Sequence, residues 1–89
     1  METVFPLGQC VITANAKDTL HPEDVKFALD RHSRGDWGEL CQSDWKENEI
    51  SLAQNMRLLS RYKDRAGVCF WIITEADRSA TTILLPDDY

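Results

Sequence analysis

The side chains with the means to do chemistry are few and widely spaced. They are His21 and His32, three cysteines (Cys10, Cys41 and Cys69), and one short polar run, Glu75-Ala76-Asp77-Arg78-Ser79. His32 shares a helical face with Val25, Ala28 and Leu29, so it is a candidate general base or ligand in an apolar setting. The more common arrangement for such a residue is a half-buried histidine hydrogen-bonded to backbone, and that is the expectation here. Glu75, Asp77 and Arg78 lie between two strand-like runs, where a loop can present a recognition cluster or a small hydrolytic site. Ser79 has no evident base beside it. Asp77 suits a tight turn closed by a backbone bond, with Arg78 paired to a carboxylate, whereas Glu75 and Arg78 divide evenly between structural bridge and recognition. There is no Gly-rich phosphate loop, no GxSxG elbow and no HExxH, so no catalytic residue, metal ligand or cofactor is assigned.

The cysteines are 31 and 28 residues apart, which excludes a CxxC redox or zinc pattern. Cys10 and Cys69 fall in apolar runs and are expected to be buried, whereas Cys41 lies in a polar segment and is expected to be exposed. The first eight residues have neither the basic nor the apolar region of a secretory signal, so a reduced, cytoplasmic setting is expected.

These groups must be positioned by one small domain of 89 residues, 43% hydrophobic and 28% charged. No apolar run is long enough to cross a bilayer, so no membrane partner is expected. The net charge of −5 argues against direct nucleic-acid binding, which needs a surplus of Lys and Arg. That charge is uneven. Residues 1–56 hold five basic and ten acidic side chains, and residues 57–89 hold five of each. Asp36, Glu39, Asp44, Glu47 and Glu49 crowd one stretch against Lys46 alone, and Arg57, Arg61, Lys63 and Arg65 follow soon after.

Residues 9–13 predict a short strand, residues 14–20 one or two helical turns, and Pro22-Glu23-Asp24 the start of a helix that Gly35 ends. On its wheel Phe27 points away from the apolar face. Ser43 is expected to cap the next helix, with Trp45, Leu52, Ala53 and Met56 as its apolar stripe, Glu49 close to the stripe and Ile50 well away. Residues 57–63, 68–74 and 80–85 predict three strands, the first two joined by a turn at Asp64-Arg65-Ala66-Gly67. Along the first of them Arg57, Arg61 and Lys63 share one face, and Ser60 and Tyr62 the other. The fold class is therefore α+β: an antiparallel sheet of three to four strands, with a C-terminal three-strand meander, packed on two helices in the order β-α-α-β-β-β. Trp71 and Trp45 are expected in the core, while Trp37, between Asp36 and Gly38 in a turn, is expected at the surface as an anchor for a protein partner.

Three segments carry a resemblance: Gly35-Asp36-Trp37-Gly38, Arg57-Leu58-Leu59-Ser60-Arg61-Tyr62, and the run from Trp71 to Tyr89. They resemble a family of short bacterial proteins carried on plasmids, prophages and conjugative elements and usually labelled plasmid-related, over nearly the whole chain from Gly8 onward. The resemblance implies mobile-element ancestry and brings no assigned catalytic residue. Some members look like anti-CRISPR proteins. The resulting expectation is a non-enzymatic inhibitor of a host defence complex, possible targets including a CRISPR effector. Its carboxylates Asp36, Glu39, Asp44, Glu47 and Glu49 would occupy a basic nucleic-acid channel, with Trp37 as the apolar anchor. The alternatives are a small hydrolase or nuclease-like effector using Glu75, Asp77 and Arg78, and an accessory factor in plasmid maintenance.

Overall fold

A computed structural model describes residues 3–89. The β-branched run opens the fold as strand β1 (Gln9–Ile12). Thr13 then caps α1 (Ala14–Thr19): its hydroxyl accepts from the Ala16 N–H at 3.1 Å. Helix α2 (Pro22–Ser33) has Pro22 at its first position, Glu23 and Asp24 in its first turn, and Arg31 and His32 in its last, each suited to the helix dipole. Helix α3 (Gln42–Ala53) is followed by strands β2 (Leu58–Lys63), β3 (Cys69–Thr74) and β4 (Ala80–Leu84), and the described chain ends in a 3-10 turn (Pro86–Asp88). Asp88 in that turn accepts from Thr13 Oγ1 at 2.6 Å and Asn15 Nδ2 at 2.8 Å, tying the C-terminus to the start of α1.

The sheet runs β1-β4-β3-β2, with β2-β3-β4 as an antiparallel meander. The α+β class, the meander and the helix layer are those the sequence predicts. The fourth strand joins in the other sense: β1 pairs parallel to β4, Gln9 opposite Ala80 and Ile12 opposite Ile83. Alternation turns Leu58, Ser60 and Tyr62, Phe70, Ile72 and Thr74, and Thr81 and Ile83 inward. Against them α1 and α2 pack Ala16, Leu20 and Ala28, with Val25 and Leu29 at the margin. A second cluster of Phe5, Trp37 and Leu58 is covered by Leu40 and by Trp45 and Leu52 of α3.

Several expectations are corrected by this layering. Cys10 is exposed because β1 is an edge strand, and Cys69 is only half-buried, receiving a hydrogen bond from Arg61 Nε at 3.3 Å. Trp71 is half-buried because it stands on the sheet face opposite the helices, with the Tyr89 ring edge-on at 5.7 Å. Helix α3 starts one residue before Ser43, so Cys41 is its N-cap and no side chain caps it. Ala53 and Met56 are exposed, because the inward side of α3 is set by Trp45, Asn48 and Leu52.

The β2 edge of the sheet is closed. Arg61 N–H donates to Trp37 O at 3.2 Å and Glu39 N–H to Arg61 O at 2.7 Å, while the Asn48 amide donates to Leu59 O and accepts from Leu59 N–H at 3.3 Å. This close approach needs Gly38, whose φ is +73° and where a Cβ would meet the Arg61 carbonyl and the Tyr62 ring. Gly38→Ala should therefore cost more than about 1 kcal/mol, read as a melting temperature lowered by at least roughly 4 °C.

Candidate functional site

One polar constellation is buried in the core. His32, in the last turn of α2, points between β2 and β3, where Ser60 Oγ meets its Nδ1 and Thr74 Oγ1 lies 2.8 Å from its Nε2. The chain of hydroxyls continues: Thr74 Oγ1 is 2.8 Å from Thr81 Oγ1, which donates to Leu7 O at 2.7 Å. Each hydroxyl has one proton, so the direction of every bond follows. Thr81 spends its proton on Leu7, so Thr74 donates to Thr81 and accepts from His32 Nε2–H. Nδ1 is then the bare nitrogen, and Ser60 donates to it. The ring is neutral. Burial, followed by the charge of Arg78, pushes its pKa down from 6.5 to about 3. Phe5 and Trp37 stand edge-on to it at 5.3 and 5.6 Å.

A serine donating to a histidine is the chemistry of a nucleophile and its base. Here, however, His32, Ser60, Thr74 and Thr81 are all closed to solvent, and the ring's other nitrogen meets a hydroxyl rather than an orienting carboxylate. The group can hold α2 to three strands; it cannot meet a substrate without opening the core. The expected backbone-bonded, half-buried histidine is thus corrected to a fully buried one held by hydroxyls. The signal lay in the strand alternation, which sets the small polar residues Ser60, Thr74 and Thr81 at inward positions.

The predicted anchor Trp37 is fully buried, because α3 folds across the turn that carries it. Its ring stacks on Phe5 at 6.1 Å, and its Nε1–H donates to Glu49 Oε1 at 3.2 Å. Asp36 forms a two-point pair with Arg31 at 2.8 and 3.2 Å and accepts from Gly38 N–H; the Arg31 guanidinium holds its carboxyl below the usual range. Glu39 pairs with Lys63 at 3.7 Å. Asp44 and Glu47 project from α3 into solvent, and neither takes an ion pair or side-chain hydrogen bond among the described residues. The six predicted contact residues therefore separate into three that support the fold (Asp36, Trp37, Glu49), one in a surface pair, and two free carboxylates.

Compared with protein-family models, curated proteins and solved structures, the chain matches none. Its other candidate sites must be weighed on their geometry.

In the loop between β3 and β4, Asp77 Oδ1 accepts from Ser79 N–H at 3.0 Å, the turn expected of it. Arg78 finds backbone rather than the predicted carboxylate: its guanidinium donates to Met56 O at 2.6 Å, Glu75 O at 3.1 Å and Ser51 O at 3.4 Å, and lies over the Phe5 ring. Those bonds accompany a φ of +61°, so the loop is fixed to the end of α3. Glu75 is exposed beside it. Among the described residues no three His, Cys, Asp or Glu side chains gather as a metal site, and no helix is long and apolar enough to cross a membrane. A groove of about 610 Å³ beside exposed Phe27, between α2 and residues 3–7, includes none of the predicted residues.

Proposed function

We propose that this chain is a binding protein whose contact surface is the outer face of α3, and that its partner is a host nucleic-acid-handling defence complex of the kind anti-CRISPR proteins inhibit. One observation carries the reading: Asp44 and Glu47 are exposed and unpaired, and Ile50, 48% exposed, lies one turn beyond Glu47. Free carboxylates around an apolar side chain suit a basic protein surface that ordinarily receives phosphates. Ile50 takes the anchoring role that sequence reasoning gave to Trp37. The partner class draws on the resemblance of residues 35–38, 57–62 and 71–89 to mobile-element proteins.

The test is a plasmid-interference assay in cells with an active CRISPR system, paired with binding measurements on the purified effector. The wild-type chain should restore transformation and bind more weakly as salt rises. The double variant Asp44→Lys/Glu47→Lys should lose both effects while melting at the wild-type temperature, and Ile50→Asp should lose binding at every salt concentration. Full inhibition by both variants would remove the α3 face from the mechanism.

A further inference from the structure

The two edges of the sheet differ. The β2 edge is closed by residues 37–39 and the Asn48 amide, whereas no described residue closes the β1 edge. Gln9 N–H donates to Ser79 O and Thr13 N–H to Ile83 O, both at 3.0 Å. The parallel register therefore turns the backbone groups of residues 9, 11 and 13 toward β4 and those of Cys10 and Ile12 away from the sheet. No described group takes the N–H or C=O of either residue. All four β1 side chains are exposed, Val11 at 41% and Ile12 at 37%. Exposed edges are ordinarily guarded by charge, proline or a bulge. This one has no such guard: residues 7–16 contain no charged side chain and no proline, in a chain that is 28% charged.

We propose that β1 is a pairing edge for a second copy of this chain, antiparallel across a two-fold axis at Val11, which joins two four-stranded sheets into one of eight strands. In that register Cys10 of each copy faces Ile12 of the other. Each such pair exchanges two N–H···O bonds, so all the free donors and acceptors are used. Pairing Cys10 with Cys10 or Ile12 with Ile12 would leave half of them unmet. The free groups of this edge match themselves across that axis, which favours a second copy over a foreign strand. Two molecules of net charge −5 repel over most of their surfaces and least along a neutral strand, and that strand offers a foreign peptide no charge to read. The two Val11 side chains meet in the close, non-hydrogen-bonded pair at the axis, and Ile12 loses its exposure beside it.

Sedimentation equilibrium on the reduced full chain tests this. The mass should rise with concentration from 10.2 kDa toward twice that value. Val11→Lys sets two ammonium groups face to face and should hold the mass at one chain, while melting as the wild type does at dilutions where that too is a single chain, because Val11 is exposed and its backbone bonds to β4 remain. With Cys10→Ser and Cys41→Ser removing the exposed thiols, Val11→Cys should cross-link two chains on oxidation, because the Cα separation across a non-hydrogen-bonded pair fits a disulfide. Gln9→Cys in the same background should cross-link far more slowly. A wild-type mass that stays at one chain up to the solubility limit overturns the proposal. So does a dimer that survives Val11→Lys, or equal cross-linking through positions 9 and 11.

Discussion

Trp37→Ala should be among the most damaging single substitutions in this protein, lowering stability by roughly 3–5 kcal/mol. A chain of 89 residues is expected to hold only about 4–13 kcal/mol in total. The variant should therefore lose a large share of its stability, as seen in a lowered melting temperature and in a urea midpoint far below that of the wild type. Three losses combine. A cavity opens between Phe5 and Leu58, the His32 ring loses one of its two edge-on neighbours, and Glu49 loses the indole donor. Trp37→Phe keeps the stack on Phe5 and should retain more than half of the lost stability. A surface anchor behaves in the opposite way: Trp37→Ala would then melt with the wild type and fail only in partner binding. An unchanged melting temperature would thus restore the anchor reading and undo the core described above.

The burial of Trp37 marks where local pattern stops being informative. Periodicity is a local property, and what it governs is readable: α2 buries Ala28 and His32 and exposes Phe27, β2 alternates as expected, and Gly67 takes its positive φ of +84° in the first hairpin turn. Asp36-Trp37-Gly38 has the composition of an exposed turn, and only the passage of α3 across it buries the indole. The same holds for charge. Counting five carboxylates between residues 36 and 49 suggests one acidic surface, but Arg31, Trp37 and Lys63 each claim one of them. The parallel pairing of β1 with β4 joins residues about 70 positions apart, and nothing within either strand announces it. What remained readable of the candidate site is the part that needs no long-range contact: Asp44 and Glu47 on the outer side of a helix, with Ile50 beside them.

The buried histidine makes stability fall on mild acidification, before the carboxylates contribute. In the unfolded chain His32 takes up a proton near pH 6.5, whereas in the fold it does so only near pH 3. Between those values the unfolded state holds the extra proton, so stability is complete above about pH 6.5 and declines as pH falls, by up to about 1.4 kcal/mol per unit. From pH 6.5 to 4.5 the loss should reach about 2–3 kcal/mol. Asp36 and Asp88 have pKa values lowered by their partners, so their contribution is present above the ordinary carboxylate range and is lost only at lower pH. Urea midpoints at pH 7, 6 and 5 therefore isolate the histidine. His32→Gln cannot take up the proton; it should be less stable at pH 7 yet nearly flat over this range. An equally steep decline in that variant would move the proton uptake to another group. Beside burial and the charge of Arg78, the hydroxyls around the ring are arranged for its neutral form. A proton on Nδ1 would point at the Ser60 hydroxyl that now donates to it, and Ser60 could accept it only by turning its own hydrogen away from the ring. Thr74 and Thr81 leave no slack on the other side, because each of their protons is already committed along the chain to Leu7.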